Sequence, residues 1–153
     1  MLETISKSIK NKDILDTFED FKYVYYIRNE KLIKNYHKMF AELKLAGHMI
    51  RKENTPIDRG ILLENNNEVI AGCFFNVSKI SSVILIDTIF VDQPYRQKGI
   101  YKKMHFLLDT IGKNLNKKSI YSSIHIDNQI MQQHVMKKIG YEVVLHTVKR
   151  DIL

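Results

Sequence analysis

One cysteine, two prolines and six glycines are spread over 153 residues. The lone thiol, Cys73, excludes an internal disulfide framework and a multi-cysteine zinc site, and it suits a reducing compartment. So little proline and glycine excludes collagen-like and low-complexity chains. Long apolar runs are missing too. The run at residues 83–86 is stopped by Asp87, far short of the roughly 20 residues a spanning helix needs. The opening stretch, MLETISKSIKNKD, is polar and has no signal-peptide core. No membrane association and a cytoplasmic location are therefore expected. His37, His48, His105, His125, His134 and His146 are scattered without paired ligand spacing, so no metal is expected. There is no Gly-x-Ser-x-Gly elbow, P-loop or Gly-x-Gly-x-x-Gly fingerprint. Cys73 lies mid-strand in the pattern and reads as a small buried hydrophobe.

What is present is an ordinary globular mixture, 44% hydrophobic and 27% charged. Its length fits one domain, residues 1–153. The net charge is +7, and its placement matters more than its size. Arg96, Lys98, Lys102, Lys103, Lys113, Lys117 and Lys118 stand against Asp109 alone between Gln93 and Lys118. Such a block suits an anionic partner: a phosphorylated cofactor, nucleic acid or an acidic surface. A solvated helix face accounts for it equally well.

Residues 13–28 place Ile14, Phe18, Phe21 and Tyr25 at helical spacing, with Asp13 as N-cap. Residues 30–46 repeat the pattern through Leu32, Ile33, Tyr36, Phe40 and Leu43, and Gly47 is a natural stop. The aromatic stripe reads as core packing. Residues 52–60 read as a loop. The period then changes. Residues 61–63 and 69–77 predict strands joined by a turn at Glu64-Asn65-Asn66-Asn67, since Asn tolerates left-handed backbone angles. Residues 83–91, VILIDTIFV, predict a central strand buried on both faces. A helix over 97–112, a strand over 119–126, a helix over 129–139 and a strand over 141–148 complete an α/β order with a mixed sheet.

The chemistry concentrates in IFVDQPYRQKGIYKK, residues 89–103. A buried strand ends at Val91, Pro94 bends the chain, and a helix opens near Gly99. A helix start carries about four backbone N–H groups without internal partners and a partial positive charge. Gly99 lets backbone approach a ligand closely. Together these make an anion cradle suited to a diphosphate, with Arg96, Lys98 and Lys102 around it.

This segment resembles the pyrophosphate loop of the GNAT superfamily of amine N-acetyltransferases, Gln/Arg-x-x-Gly-x-Gly/Ala after a strand. Here it reads Arg96-x-x-Gly99-x-Tyr101, preceded by Val91, Asp92 and Pro94. Asn128 at the next helix start and Lys138-Ile139-Gly140-Tyr141 are similar to the family's second half. The likeness covers residues 60–148 well and residues 1–50 loosely, as the variable helical part that helps form the acceptor site. It implies a mixed, mostly antiparallel sheet with splayed central strands flanked by helices. It implies that the backbone of Ile89, Phe90 and Val91 pairs with the pantetheine arm of CoA. The N–H groups of Gln97, Lys98, Gly99, Ile100, Tyr101 and Lys102 would hold the pyrophosphate, with Arg96 beside it and Asn128 near the pantetheine or thioester. A homodimer through the last strand is a further implication.

Two positions depart from that pattern. Tyr101 replaces the second small residue, so its ring must point away from the phosphates. The tyrosine that protonates the departing thiolate is missing: counting from Gly140 reaches Met136, and counting from Asn128 reaches Val135. The harder task is deprotonating the acceptor, because an alkylamine with a pKa near ~10.4 is mostly charged at pH 7. Asp87, which interrupts an apolar strand four residues before Val91, is the candidate general base, acting through water. An inter-strand pairing role is the equal alternative. Tyr121, Tyr141, His125 and His134 are further proton carriers, each more readily explained as structural. The expected activity is transfer of an acetyl group from acetyl-CoA to a primary amine on a small molecule or peptide, by direct attack. The rivals are an inactive GNAT-fold module that binds acyl-CoA, and a nucleic-acid-binding protein, which is not favoured because CoA already accounts for much of the basic block. The acceptor and the oligomeric state stay open.

Overall fold

A β-hairpin stands where helical spacing predicts the first helix. Strands β1 (Lys12–Phe18) and β2 (Phe21–Ile27) pair antiparallel, from Lys12↔Tyr26 to Phe18↔Phe21. Glu19, with φ of 54°, makes the tight turn between them. The reason lies in burial on two sides. Phe21, Tyr23 and Tyr25 enter one core, while Val24 and Tyr26 enter another. A run apolar on both faces contains the i, i+3, i+4 subset of a helix by accident. Its β-branched and aromatic content, with Lys22 alone polar, marks it as strand. Asp13 lies within β1 opposite Tyr25 instead of at a helix start, and Ile14 is exposed on that strand.

The computed structural model describes residues 12–45, 56–122 and 140. The chain forms two compact units, Met1–Ser123 and Ile124–Leu153. The elements here belong to the first; in the second, Gly140 is described, with φ of 92°. After the hairpin come α1 (Glu30–Leu45), β3 (Arg59–Glu64), β4 (Val69–Val77), β5 (Val83–Val91), α2 (Ile100–Asn114) and β6 (Ser119–Ser122). The expected remainder of the strand at 119–126, the helix at 129–139, the strand at 141–148 and the stop at Gly47 fall outside the described residues. So do Asn128, His125, His134, Met136, Val135 and Tyr141.

The six strands form one sheet in the order β1-β2-β3-β4-β5-β6. Neighbours are antiparallel except β5 and β6, which run parallel because α2 carries the chain back between them. The result is the expected α/β fold with a mixed, mostly antiparallel sheet. One face packs under α2, through Ile100, Met104, Leu107, Leu108 and Ile111. The other packs under α1, through Leu32, Tyr36, Met39 and Phe40. Helix α1 starts where Asn29 Oδ1 accepts from the Leu32 N–H at 2.9 Å, an N-cap bond. On the same face Tyr26 donates to buried Glu64 at 2.6 Å, and Lys31 pairs with that carboxylate at 2.9 Å. Burial and the adjoining Glu64 carboxylate push the Tyr26 hydroxyl well above its usual range. The asparagine turn after β3 forms, but by a different device. Asn65 Oδ1 accepts from the N–H groups of Asn67 and Glu68, each at 2.9 Å, and none of the three asparagines has positive φ. Among the described residues no helix is long and apolar enough to cross a membrane.

Candidate active site

Strand β5 is interrupted by one extra residue. Across β4, Phe74 faces Thr88 and Phe75 faces Ile86, which leaves Asp87 without an opposite number. This is a β-bulge. It also shifts the pleat by one. Ile84 and Ile86 point under α2, and beyond the bulge so do Ile89 and Val91, while Phe90 turns to the α1 side. Asp87 is partly buried, and its Oδ1 is buried without a hydrogen-bond partner among the described residues. A shielded carboxylate oxygen without a partner is costly to maintain. Among the described residues Asp87 Oδ1 makes no inter-strand hydrogen bond.

The backbone of β5 presents two edges. Asp92 N–H donates to Ile70 O at 2.8 Å, so Asp92 and, by alternation, Phe90 and Thr88 direct their backbone groups at β4. Ile89 and Val91 direct theirs the other way. At the strand's start that outer edge carries β6, with pairing from Val83↔Ser119 to Ile86↔Ser122. Of the three residues expected to pair with an extended ligand, Ile89 and Val91 therefore present the outer edge, and Phe90 is committed to β4.

The loop that follows is a 3-10 turn at Gln93–Tyr95, held by Tyr95 N–H to Asp92 O at 2.9 Å and Arg96 N–H to Gln93 O at 3.2 Å. Arg96 folds back on the strand. Its Nε donates to Val91 O at 2.8 Å, and its guanidinium carbon lies 5.9 Å from the Phe90 ring centroid. Gln97 and Gly99 both adopt left-handed backbone angles, with φ of 63° and 83°. Alternating left-handed residues ahead of a helix turn successive N–H groups toward one point, an anion nest. Helix α2 then opens at Ile100, three residues later than expected. No side chain caps it, and its first internal bond is Lys103 N–H to Gly99 O at 2.9 Å. The N–H groups of its opening turn face out of the helix end. A Cβ at Gly99 would meet nothing within 4 Å. The space beside the cradle is open, and glycine is there for its φ.

Arg96, Gln97, Lys98, Gly99 and Lys102 are exposed around this cradle, while Ile100 is buried and anchors the helix. The Tyr101 ring lies 4.8 Å from the His105 ring, one turn further along α2, and so leans away from the helix start. Burial pushes its hydroxyl up to about 12. The donor set of outward amides and flanking cations fits a diphosphate. Part of the basic block is otherwise engaged. Lys103 pairs with Asp16 at 2.5 Å, and Lys117 Nζ donates to Ser78 O and Ser81 O at 2.6 and 2.9 Å. Sequence reasoning missed Lys38, Glu42 and Glu68, which gather near Asp92. Burial first, then repulsion from Glu42 and Glu68, raises the Asp92 carboxyl above its usual range, opposed by Lys38 and Arg96. Nothing in the sequence brings these distant positions together.

No protein-family profile and no curated protein matches the chain in sequence. Solved structures do match in fold. Aminoglycoside N-acetyltransferase AAC(6')-Iy in complex with CoA aligns with a TM-score of 0.61 at 16% identity, covering 86% of this chain and 95% of that one. The aminoglycoside acetyltransferase meta-AAC0020, from an uncultured soil metagenomic sample and in complex with sisomicin, aligns with a TM-score of 0.58 at 15% identity. That alignment covers 88% of this chain and 98% of that one. A possible acetyltransferase from Clostridium difficile 630 aligns with a TM-score of 0.62 at 13% identity, covering 84% and 97%. Sheet order, the helix after β5 and these neighbours agree: the chain has the fold of the GNAT acetyltransferases.

Proposed function

We propose that the chain is a CoA-dependent N-acyltransferase that moves an acetyl group from acetyl-CoA to a primary amine of a small molecule or peptide. The observation that carries this reading is one continuous stretch. A bulge with the unpartnered Asp87 Oδ1, an outward strand edge at Ile89 and Val91, and an uncapped helix start at Gly99–Ile100 follow one another. Structural neighbours in complex with CoA and with sisomicin support a CoA site and an amine acceptor.

In this reading the amides of residues 97–102 hold the diphosphate, and Lys98 and Lys102 add charge around it. The outer-edge N–H groups of β5 donate to the acyl carbonyl oxygen, which gains negative charge as the amine attacks. Asp87 takes a proton from the ammonium form of the acceptor through water, a role worth about 10²–10⁴-fold. When bound, acetyl-CoA supplies an acyl group activated as a thioester. Fixing both reactants beside one strand supplies the remaining advantage through proximity. The C–N bond would form as the C–S bond breaks, with CoA leaving as a thiolate that takes up the proton the nitrogen sheds, and no covalent enzyme intermediate is needed.

Two measurements test it. Acetyl-CoA is expected to raise the melting temperature, because it binds the folded state alone. Free thiol is expected to appear when acetyl-CoA is mixed with the protein and a panel of amines. If neither acetyl-CoA nor longer acyl-CoAs bind at millimolar concentration, the reading fails. Binding without thiol release would leave a non-catalytic acyl-CoA module.

A further inference from the structure

The outer edge of β5 ends in a hydrogen bond from an arginine side chain. Val91 C=O belongs to the same peptide group as Asp92 N–H, which points at β4. In a trans peptide the two lie on opposite sides, so Val91 C=O points to the outer edge. Arg96 Nε occupies it at 2.8 Å. The guanidinium plane rests by Phe90, which is itself buried in the α1-side core. The chain from Val91 to Arg96 is thereby closed into a ring, with the Tyr95-to-Asp92 and Arg96-to-Gln93 backbone bonds inside it. The two left-handed residues of the cradle, Gln97 and Gly99, follow directly.

We infer that Arg96 is a positioning residue for the cofactor loop, acting through its Nε donor on Val91 and not through its charge on the diphosphate. The inference rests on the function proposed above. Its physical basis is that an exposed side chain is folded back to close a polar ring, and that the amides it orients are the ones aimed at the anion. A charge partner for a phosphate needs no such anchor, and would extend into solvent as Lys98 and Lys102 do.

Chemistry offers a clean separation. In glutamine the side-chain nitrogen is as many bonds from Cα as Arg Nε, so Arg96→Gln keeps the donor and removes the charge. Arg96→Lys keeps the charge and puts a methylene where the donor was. Acetyl-CoA KM and kcat are to be measured for both variants from low to high salt. Arg96→Gln is expected to keep KM within about threefold of the starting protein, with the same salt dependence. Arg96→Lys is expected to raise KM about tenfold or more at nearly unchanged kcat. The reverse pattern, with a flatter salt dependence in Arg96→Gln, overturns the inference. A second readout needs no cofactor: amide hydrogen exchange of residues 97–102 in the protein alone. Faster exchange in Arg96→Lys than in Arg96→Gln supports positioning, and equal or opposite rates overturn it. Should acetyl-CoA fail to bind the unaltered protein, the proposed function falls, while the exchange rates still decide the role of Arg96.

Discussion

Ile86 and Ile89 stand three residues apart and pack into the same layer under α2. In an unbroken strand an odd separation puts two side chains on opposite faces. Asp87 absorbs the difference, so the residue that breaks the apolar run also sets the facing of everything after it. The bulge returns Phe90 to the α1-side core and leaves a carboxylate where the ladder has no use for it.

Removing the extra residue is therefore expected to straighten the strand without turning its far half over. With Asp87 deleted, Ile86 and Ile89 stand two residues apart, so regular alternation keeps Ile89 and Val91 under α2 and Phe90 on the α1 side, and the loss should stay below about 3 kcal/mol. Asp87→Ala keeps the bulge and removes a buried oxygen without a partner among the described residues, so its stability should stay within about 1 kcal/mol or rise. Urea unfolding of the two variants makes the comparison.

The same carboxylate carries the proposed proton transfer. Asp87→Asn should lower kcat/KM for an alkylamine by about 10²–10⁴-fold while leaving acetyl-CoA affinity unchanged. The loss should shrink for an aromatic amine, which is already unprotonated at neutral pH. An equal loss on both acceptors would remove the base role from Asp87.

Gly99 is selected for its left-handed φ of 83° and not by crowding. Gly99→Ala should thus cost about 1–2 kcal/mol of backbone strain with no steric clash. Relief of that strain by rotating the peptide would spoil the nest, and acetyl-CoA affinity should fall about tenfold. Thermal melts with and without acetyl-CoA separate the two effects. Unchanged affinity in a destabilised Gly99→Ala would mean the cradle does not hold the diphosphate.

Lys103 joins α2 to β1 through Asp16. Its hydrogen bond, with a smaller one from Thr17 N–H, holds the Asp16 carboxyl below the usual carboxylate range. A carboxyl depressed in the folded state adds stability above its unfolded value near ~3.9, and that stability is lost as pH falls through the folded value. Asp16→Asn should be less stable at pH 7 by about 0.2–1 kcal/mol, the range for solvent-accessible pairs. The gap should close as pH drops below about 4. It should also narrow in high salt. Acid unfolding curves of both proteins check it.

Residue pattern alone determined α1, α2, the strands from β3 to β5, the glycine-containing helix start between Arg96 and Lys102, and Asp87 as the oddity in its strand. Each of these is local, written in a period, a cap, a glycine or one polar residue in an apolar run. The tertiary structure decided the rest. Burial on two faces erased the period that would have marked β2 as a strand, because a run apolar throughout matches a helix and a strand alike, and β1 follows as its hairpin partner. The bulge at Asp87, the outward facing of Ile89 and Val91 and the return of Arg96 to Val91 depend on where β4 lies. Pairing of Lys103 with Asp16 depends on a neighbour 87 positions away in the chain. Side-chain spacing carries no record of which distant backbone a strand will lie beside, and that neighbour is what sets these bonds.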